Sequence, residues 1–130
     1  MLYAASLVLT ALVQSVSAVS AWMPPAEQTA KQAPLYVTIE NPTMYDVYIV
    51  KAKTDVAENV EFHESDGFGG DEPVKDFTIP AYESLEILSR GPHIVLTGLK
   101  RPLKEGQTVT ITLTTDGGQD IEIKAEVRKP

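Results

Sequence analysis

Two histidines, His63 and His93, are the side chains in this sequence best suited to metal chemistry. No cysteine is present, so thiolate ligands, disulfides and cysteine nucleophiles are excluded. Each histidine stands at the end of a segment with strand-like composition, one after VEF at 60–62 and the other before IVLTGL at 94–99. Strand ends at one rim of a β-sandwich can bring distant residues together, so the two imidazoles could share one metal ion. The spacing also allows two half-exposed histidines, each with its own hydrogen-bonded neighbour.

An acidic segment follows His63 directly. Residues 64–73, ESDGFGGDEP, contain three glycines, one proline and four carboxylates, a composition that predicts a loop or hairpin tip. We expect Glu64 and Asp66 as accessory ligands, with Asp71 and Glu72 as further oxygen donors nearby. Carboxylates would shift a two-histidine site toward Cu(II) or Zn(II) and away from Cu(I). The alternative is a solvated acidic loop that holds no metal.

Motifs and charge argue against catalysis and against nucleic-acid binding. The sequence has no nucleophile elbow, no phosphate-binding glycine loop and no His-Glu-x-x-His motif. The formal net charge is −7, and the basic residues are scattered apart from a short cluster at 100–104. No cationic face suited to nucleic acid is therefore expected. We predict a binding protein, not an enzyme.

Alternating apolar residues predict an all-β chain from residue 35 onward. Val109, Ile111 and Leu113 would share one face of a strand, and the turn at 116–118 would lead into a second alternating strand at 121–127. With 130 residues, the chain fits one domain with one core. We predict a single antiparallel β-sandwich of Greek-key, cupredoxin-like type with eight or nine short strands, the clearest at 35–39, 46–50, 60–62, 74–79, 84–88, 93–99, 109–113 and 121–127.

The amino-terminal segment has the character of an export signal. The first 26 residues carry no charged side chain, Leu2 to Val13 form an apolar run, and small residues precede Ala18 and Ala21. We expect a signal peptide over 1–18, or to 21, and a folded domain over 19–130. The protein would then be periplasmic or secreted, and it would contact a membrane only if this segment were kept as an uncleaved anchor.

Several motifs together resemble one known family. They are AWMPP at 21–25, LYVTIENP at 35–42, VEFHE at 60–64, IPA at 79–81 and HIVLTGLKRPLKEGQTVTITLT at 93–114. In this order they resemble the periplasmic copper chaperone family PCu(A)C over nearly all of the chain after the leader. The resemblance implies a cupredoxin-like β-sandwich, export to the periplasm, and delivery of copper to respiratory oxidase copper centres.

The resemblance also implies where copper would bind. The family's site has two histidines and two methionines, and its histidine positions fall on His63 and His93. The methionine expected two residues after the second histidine is replaced by Val95, and the segment after the first histidine contains no methionine. Apart from Met1, only Met23 and Met44 remain, in segments that the family motif does not use.

The leading hypothesis is an exported, copper-binding metallochaperone-like protein with a reduced site on His63 and His93. Its cargo would be Cu(I) or Cu(II), and its partner a copper-accepting oxidase subunit or assembly factor. Two alternatives stay open. One is a metal-free interaction or assembly module on the same fold, and the other is a Cu(II) or Zn(II) binder that combines the histidines with the acidic loop.

Overall fold

The described part of the chain folds as one curled β-sheet of ten strands. This computed structural model describes residues 15–66 and 68–130, and within those ranges it contains no helix, which confirms the all-β prediction. None of the described residues therefore belongs to a helix long and apolar enough to cross a membrane. The strands are β1 (Ser17–Met23), β2 (Ala33–Glu40), β3 (Val47–Thr54), β4 (Ala57–Ser65), β5 (Asp71–Pro73), β6 (Phe77–Ile79), β7 (Ser84–Ile87), β8 (Pro92–Leu99), β9 (Thr108–Thr115) and β10 (Asp120–Val127).

The strand order wraps the sheet around a single core. Hydrogen-bonded neighbours run β5-β4-β8-β2-β1-β10-β9-β3-β6, and β7 pairs with β2. The rings of Phe62 on β4 and Phe77 on β6 have centroids 5.0 Å apart, although the two strands lie far apart in this order, so the two halves of the sheet face each other. All pairs are antiparallel except β1 with β10, which is parallel. The predicted sandwich is thus confirmed, with one parallel pair added.

Apolar alternation explains which face of each strand is buried. Val109, Ile111 and Leu113 of β9 are fully buried, and the exposed or partly exposed threonines between them face outward. Ile121 and Ile123 of β10 follow the same period and pair across with Leu113 and Ile111. Such alternation buries one face of each strand and leaves the other face for polar groups.

β1 is a strand that the sequence did not predict. It lies between β2 and β10, and Met23 at its end is fully buried. Ala18 and Ala21, the residues after which cleavage was expected, both lie inside this strand. Residues 1–14 of the predicted leader lie outside the described residues.

β5 is a second strand outside the prediction, because its residues fall in the segment assigned to a loop. It pairs with β4 at the edge of the sheet, and all three of its residues are exposed. Proline is tolerated at such an edge because its missing N–H is not needed there. Of the predicted loop, only residues 66 and 68–70 are described outside the two strands, and the strand predicted at 74–79 is shortened to Phe77–Ile79.

Candidate metal site

His63 and His93 meet because β4 and β8 pair in a particular register. The two residues stand directly opposite each other in this antiparallel pair. Their rings are stacked, with centroids 5.6 Å apart and planes inclined by 22°. Phe62 and Ile94, the preceding and following neighbours, point into the core, so the histidines lie on the outer face of the sheet. The side chains of both histidines are nonetheless largely covered, at 11% and 14% exposed.

Asp71 brings a carboxylate to the two imidazoles. β5 pairs with β4 so that Asp71 stands opposite Ser65, on the same face as His63. Its Oδ1 atom lies 3.3 Å from Nδ1 of His63 and 3.2 Å from Nε2 of His93. Two ligands of one tetrahedral ion with bonds of about 2.0 Å are separated by roughly 3.3 Å. Both distances from Asp71 therefore already match the spacing of a metal site, and all three ligand atoms lie within 4.8 Å of one another.

The hydrogen bonding of His63 leaves its Nδ1 atom free. Nε2 lies 2.9 Å from Oε1 of Glu61, and because a carboxylate only accepts, Nε2 must donate. In the neutral ring, Nδ1 then carries a lone pair. This atom is buried and has no hydrogen-bond partner, since its 3.3 Å contact with Asp71 lacks hydrogen-bond geometry.

Glu61 is held as a carboxylate by its neighbours. The hydrogen bond from His63 is the main reason that the pKa of Glu61 is lowered below its ordinary value of 4.5, and a hydrogen bond from Thr97 lowers it further. Thr97 donates its hydroxyl to Oε2 of Glu61 at 3.1 Å. Glu61 is thus ionised at neutral pH and accepts on both of its oxygens.

His93 is oriented in the complementary way. Its Nδ1 atom lies 2.9 Å from the carbonyl oxygen of Gly91, so Nδ1 donates and Nε2 keeps the lone pair. Gly91 has φ of +67°, which glycine adopts without strain and which lets the chain turn immediately before β8. The free Nε2 of His93 faces the same Asp71 oxygen as the free Nδ1 of His63.

Two imidazole lone pairs and one carboxylate oxygen therefore converge on one point. Three acceptors without a donor between them repel one another, and a cation placed among them would remove that repulsion. Histidine ligands of metals are commonly held this way, with the second ring nitrogen donating to a carboxylate or a backbone carbonyl. The arrangement offers a cation two nitrogen ligands and one oxygen ligand.

Glu64 and Asp66, the accessory ligands expected from the sequence, are not brought to this point. Glu64 follows His63 on β4, so its side chain lies on the opposite face of the strand. Oδ1 of Asp66 accepts the backbone N–H groups of Phe68 and Gly70 at 2.7 and 2.9 Å, and these bonds lower the pKa of Asp66. Asp66 thus shapes the loop, and Asp71 supplies the carboxylate at the histidines.

The sulfur-bearing residues take other positions. Met23 is fully buried in the core, and Met44 lies in the loop between β2 and β3 with 65% of its surface exposed. Val95 occupies the position where the family resemblance implies a methionine. It stands opposite Glu61 across the β4–β8 pair and is almost completely buried.

Comparison with known proteins gives a family match over most of the chain. The family model of putative LpqE-like lipoproteins matches residues 16–127. A curated relative, the putative lipoprotein Lxx21020 of Leifsonia xyli subsp. xyli, is 32% identical over 84 residues. That match covers 62% of this chain and 51% of the relative, so the chain spans about half the length of the curated relative.

Solved structures show the same fold. The copper-bound PCuAC domain from PmoF2 superposes with a TM-score of 0.76 at 17% identity, covering 89% of this chain and 94% of that domain. The Cu(I) form of DR1885 from Deinococcus radiodurans superposes with a TM-score of 0.70 at 30% identity, covering 91% of this chain and 80% of that protein. These matches confirm the resemblance to PCu(A)C domains and the cupredoxin-like fold that it implied.

Proposed function

The chain belongs to the LpqE-like family, and we propose that it is a copper-binding, metallochaperone-like protein of the cell envelope that holds one ion on His63, His93 and Asp71. The observation that carries the proposal is the convergence of the two free imidazole lone pairs on Oδ1 of Asp71. Binding and release of the ion are the whole activity, with no catalytic step.

Copper is the metal that several independent features favour. Two structural neighbours are named as copper-bound proteins, and one of them is 30% identical to this chain. Among divalent first-row ions, a site of nitrogen and oxygen ligands binds Cu(II) most tightly. Zn(II) is the natural competitor, because it accepts the same three ligands in a tetrahedral site with one open position.

The ligand set favours Cu(II) over Cu(I). Thioether sulfur is the soft ligand that stabilises Cu(I), and Val95 stands where the family resemblance implies such a ligand. The carboxylate of Asp71 adds a negative charge and a hard oxygen, both of which favour the more highly charged ion. This chain would thus carry copper in the oxidised state, using the acidic loop as the sequence suggested but through Asp71.

The positions of the three ligands suggest how the ion could leave. Both histidines belong to the long β4–β8 pair, whereas Asp71 belongs to a three-residue edge strand and is 45% exposed. A ligand from a partner can approach on the exposed side and replace Asp71 while the imidazoles still hold the ion. Stepwise exchange of this kind avoids a free ion in solution.

The proposal also includes the protein that receives the copper and the cellular location of this chain. The PCu(A)C resemblance supports a copper-accepting oxidase subunit or an assembly factor as the partner. The lipoprotein names of the family and of the curated relative support an exported protein associated with the envelope.

Competition titration tests the proposal. Wild type, His63→Ala, His93→Ala and Asp71→Ala would be titrated with Cu(II), Cu(I) and Zn(II) against chelators of known affinity, with Glu64→Ala as the matched control on the opposite face. We expect one Cu(II) per wild-type chain, tighter than Zn(II), weakened in the three ligand variants and unchanged in the control. Equal, weak binding by all five proteins would refute the site and favour a metal-free interaction module.

A further inference from the structure

We propose that Glu61 is a positioning residue that holds the single proton of neutral His63 on Nε2 and so keeps Nδ1 open for the metal. This inference rests on the proposed function for its effect on metal affinity. Its structural part, the choice of tautomer, can be measured without any metal.

Two carboxylates compete for the proton of His63. Oε1 of Glu61 lies 2.9 Å from Nε2, and Oδ1 of Asp71 lies 3.3 Å from Nδ1 on the other side of the ring. A neutral imidazole has one N–H, so only one of these carboxylates can receive a hydrogen bond. If the proton moved to Nδ1, it would lie between the ring and Asp71, in the space where the cation is expected to bind.

Glu61 is the better acceptor for the N–H of His63 because the orientation of its carboxylate is fixed. It lies on the same face of β4 as His63, two residues away, and its second oxygen accepts the hydroxyl of Thr97 from β8 at 3.1 Å. The contact to His63 has hydrogen-bond geometry, while the contact of Asp71 does not. Carboxylates that accept from a ligating histidine in this way fix its orientation and raise its basicity.

The experiment replaces Glu61 by alanine and observes the ring of His63 directly. Long-range ¹H–¹⁵N spectra of the metal-free protein distinguish the two tautomers of the neutral ring from each other and from the doubly protonated ring. We expect the Nε2–H form in the wild type and a substantial Nδ1–H population in Glu61→Ala. We also expect Cu(II) affinity to fall by about 10- to 100-fold, the loss typical of outer-sphere carboxylates.

Two controls separate positioning from general effects. Glu64→Ala removes a carboxylate from the opposite face of the same strand and should change neither the tautomer nor the affinity. Thr97→Val removes one anchor of Glu61 and should give a smaller change in the same direction. Glu61→Ala removes the acceptor of one hydrogen bond from His63 and one from Thr97, so the melting temperature should fall by only a few degrees while the fold stays intact.

The outcomes distinguish this inference from the proposed function. An unchanged Nε2–H tautomer in Glu61→Ala, with unchanged affinity, would overturn the role of Glu61 while leaving the metal site intact. A wild type that binds no copper would overturn the proposed function, and the tautomer comparison would still decide what Glu61 does to His63.

A separate observation concerns the amino terminus of the folded domain. β1 pairs with β2 from Ser17 onward, and Val16 before it is buried at 4% exposed. The Val16 carbonyl also accepts a hydrogen bond from Nε2 of Gln119 at 3.0 Å. We infer that removal of the leader, where it occurs, takes place before Val16 and leaves β1 whole.

Cleavage at the positions expected from sequence would damage the sheet. A cut after Ala18 removes the pairing partners of Glu40 and Ile39 on β2, together with the buried Val16. A cut after Ala21 leaves only two residues of β1, in a strand that joins β2 to β10. Backbone groups of β2 at residues 38–40 would then lose their partners on β1.

Intact-mass analysis of the full chain expressed with export in a bacterial host tests this inference. We expect the processed protein to start at or before Val16. Variants that begin at residue 16 and at residue 19 should differ, the first melting as the processed protein does and the second melting several degrees lower. A mature protein that begins at Val19 or later with full thermal stability would overturn the inference.

Discussion

Replacing Asp71 by asparagine isolates the charge of the third ligand, because asparagine keeps the size and one carbonyl oxygen of the side chain. Asp71 is 45% exposed, so the dielectric of water is the appropriate limit for its interaction with an ion. A carboxylate whose charge lies about 3 Å from a divalent ion contributes about 2.8 kcal/mol at that limit. Asp71→Asn should therefore weaken Cu(II) binding by roughly a hundredfold.

The same calculation predicts a difference between oxidation states. A monovalent ion has half the interaction, about 1.4 kcal/mol, so Cu(I) binding should weaken only about tenfold. Competition titrations with chelators selective for each oxidation state would measure both losses. Glu72→Gln is the matched control, since Glu72 is the exposed neighbour on β5 and its removal changes the net charge of the protein equally.

The metal-free protein should respond in the opposite direction. In Asp71→Asn the amide N–H can donate to the buried, unpartnered Nδ1 of His63. Satisfying such an atom is worth about 1 kcal/mol, or roughly 3–6 °C in melting temperature for a chain of this size. Calorimetry without metal would measure the rise. Cu(II) affinity within twofold of wild type, or equal losses in Asp71→Asn and Glu72→Gln, would refute the assignment of Asp71 as a ligand.

Three further predictions concern other parts of the molecule. Val95→Met adds a thioether beside His93 and should raise Cu(I) affinity by at least about tenfold in competition titration. The larger side chain should also lower the free energy of unfolding in urea by about 1–3 kcal/mol through overpacking. An unchanged Cu(I) affinity would contradict the prediction. The pKa of Asp66 is lowered by hydrogen bonds from the N–H groups of Phe68 and Gly70. These hydrogen bonds should therefore be complete above the ordinary pKa of 3.8 and be lost as the pH falls through the lower pKa of the folded protein. If the amide shifts of Phe68 and Gly70 titrated above pH 3.8, these hydrogen bonds would not be the cause of the lowered pKa. Leu113→Ala in the core should lower the free energy of unfolding by about 2–5 kcal/mol without changing Cu(II) affinity, and a parallel loss of affinity would show that the site depends on that strand.

The sequence predicts the strands whose apolar residues alternate with polar ones. β9 and β10 alternate along their whole length, and the turn between them carries the glycines that such a turn needs. The sequence places His63 just after a strand at 60–62, whereas β4 (Ala57–Ser65) contains it; His93 lies at the start of β8, as predicted. Their direct opposition depends on the register between β4 and β8, which is a pairing between distant segments that no local pattern specifies.

β5 escaped prediction because nothing apolar marks an exposed edge strand, and the sequence therefore identifies Asp71 only as one of four possible oxygen donors. Once β4 and β5 are paired, however, strand parity decides which acidic residue can serve. Ser65 pairs with Asp71 on the face of His63, while Glu64 pairs with Glu72 on the opposite face. A hairpin assumed to turn at the loop glycines would have a register that places Asp71 on the face of His63.

β1 escaped prediction for a different reason. Its small and apolar residues, SAVSAWM, have the composition of a leader peptide's end as much as that of a strand. What makes it a strand is its pairing with β2 on one side and β10 on the other, both distant in sequence. The composition of these seven residues does not indicate which strands they pair with.

Pulsed EPR of the Cu(II)-loaded protein is the most direct test of the central claim that the imidazoles of His63 and His93 hold one ion. The wild type should show one copper centre coupled to two imidazoles, and His63→Ala and His93→Ala should each show only one. Coupling to two imidazoles in either variant, or copper without imidazole coupling in the wild type, would contradict the site.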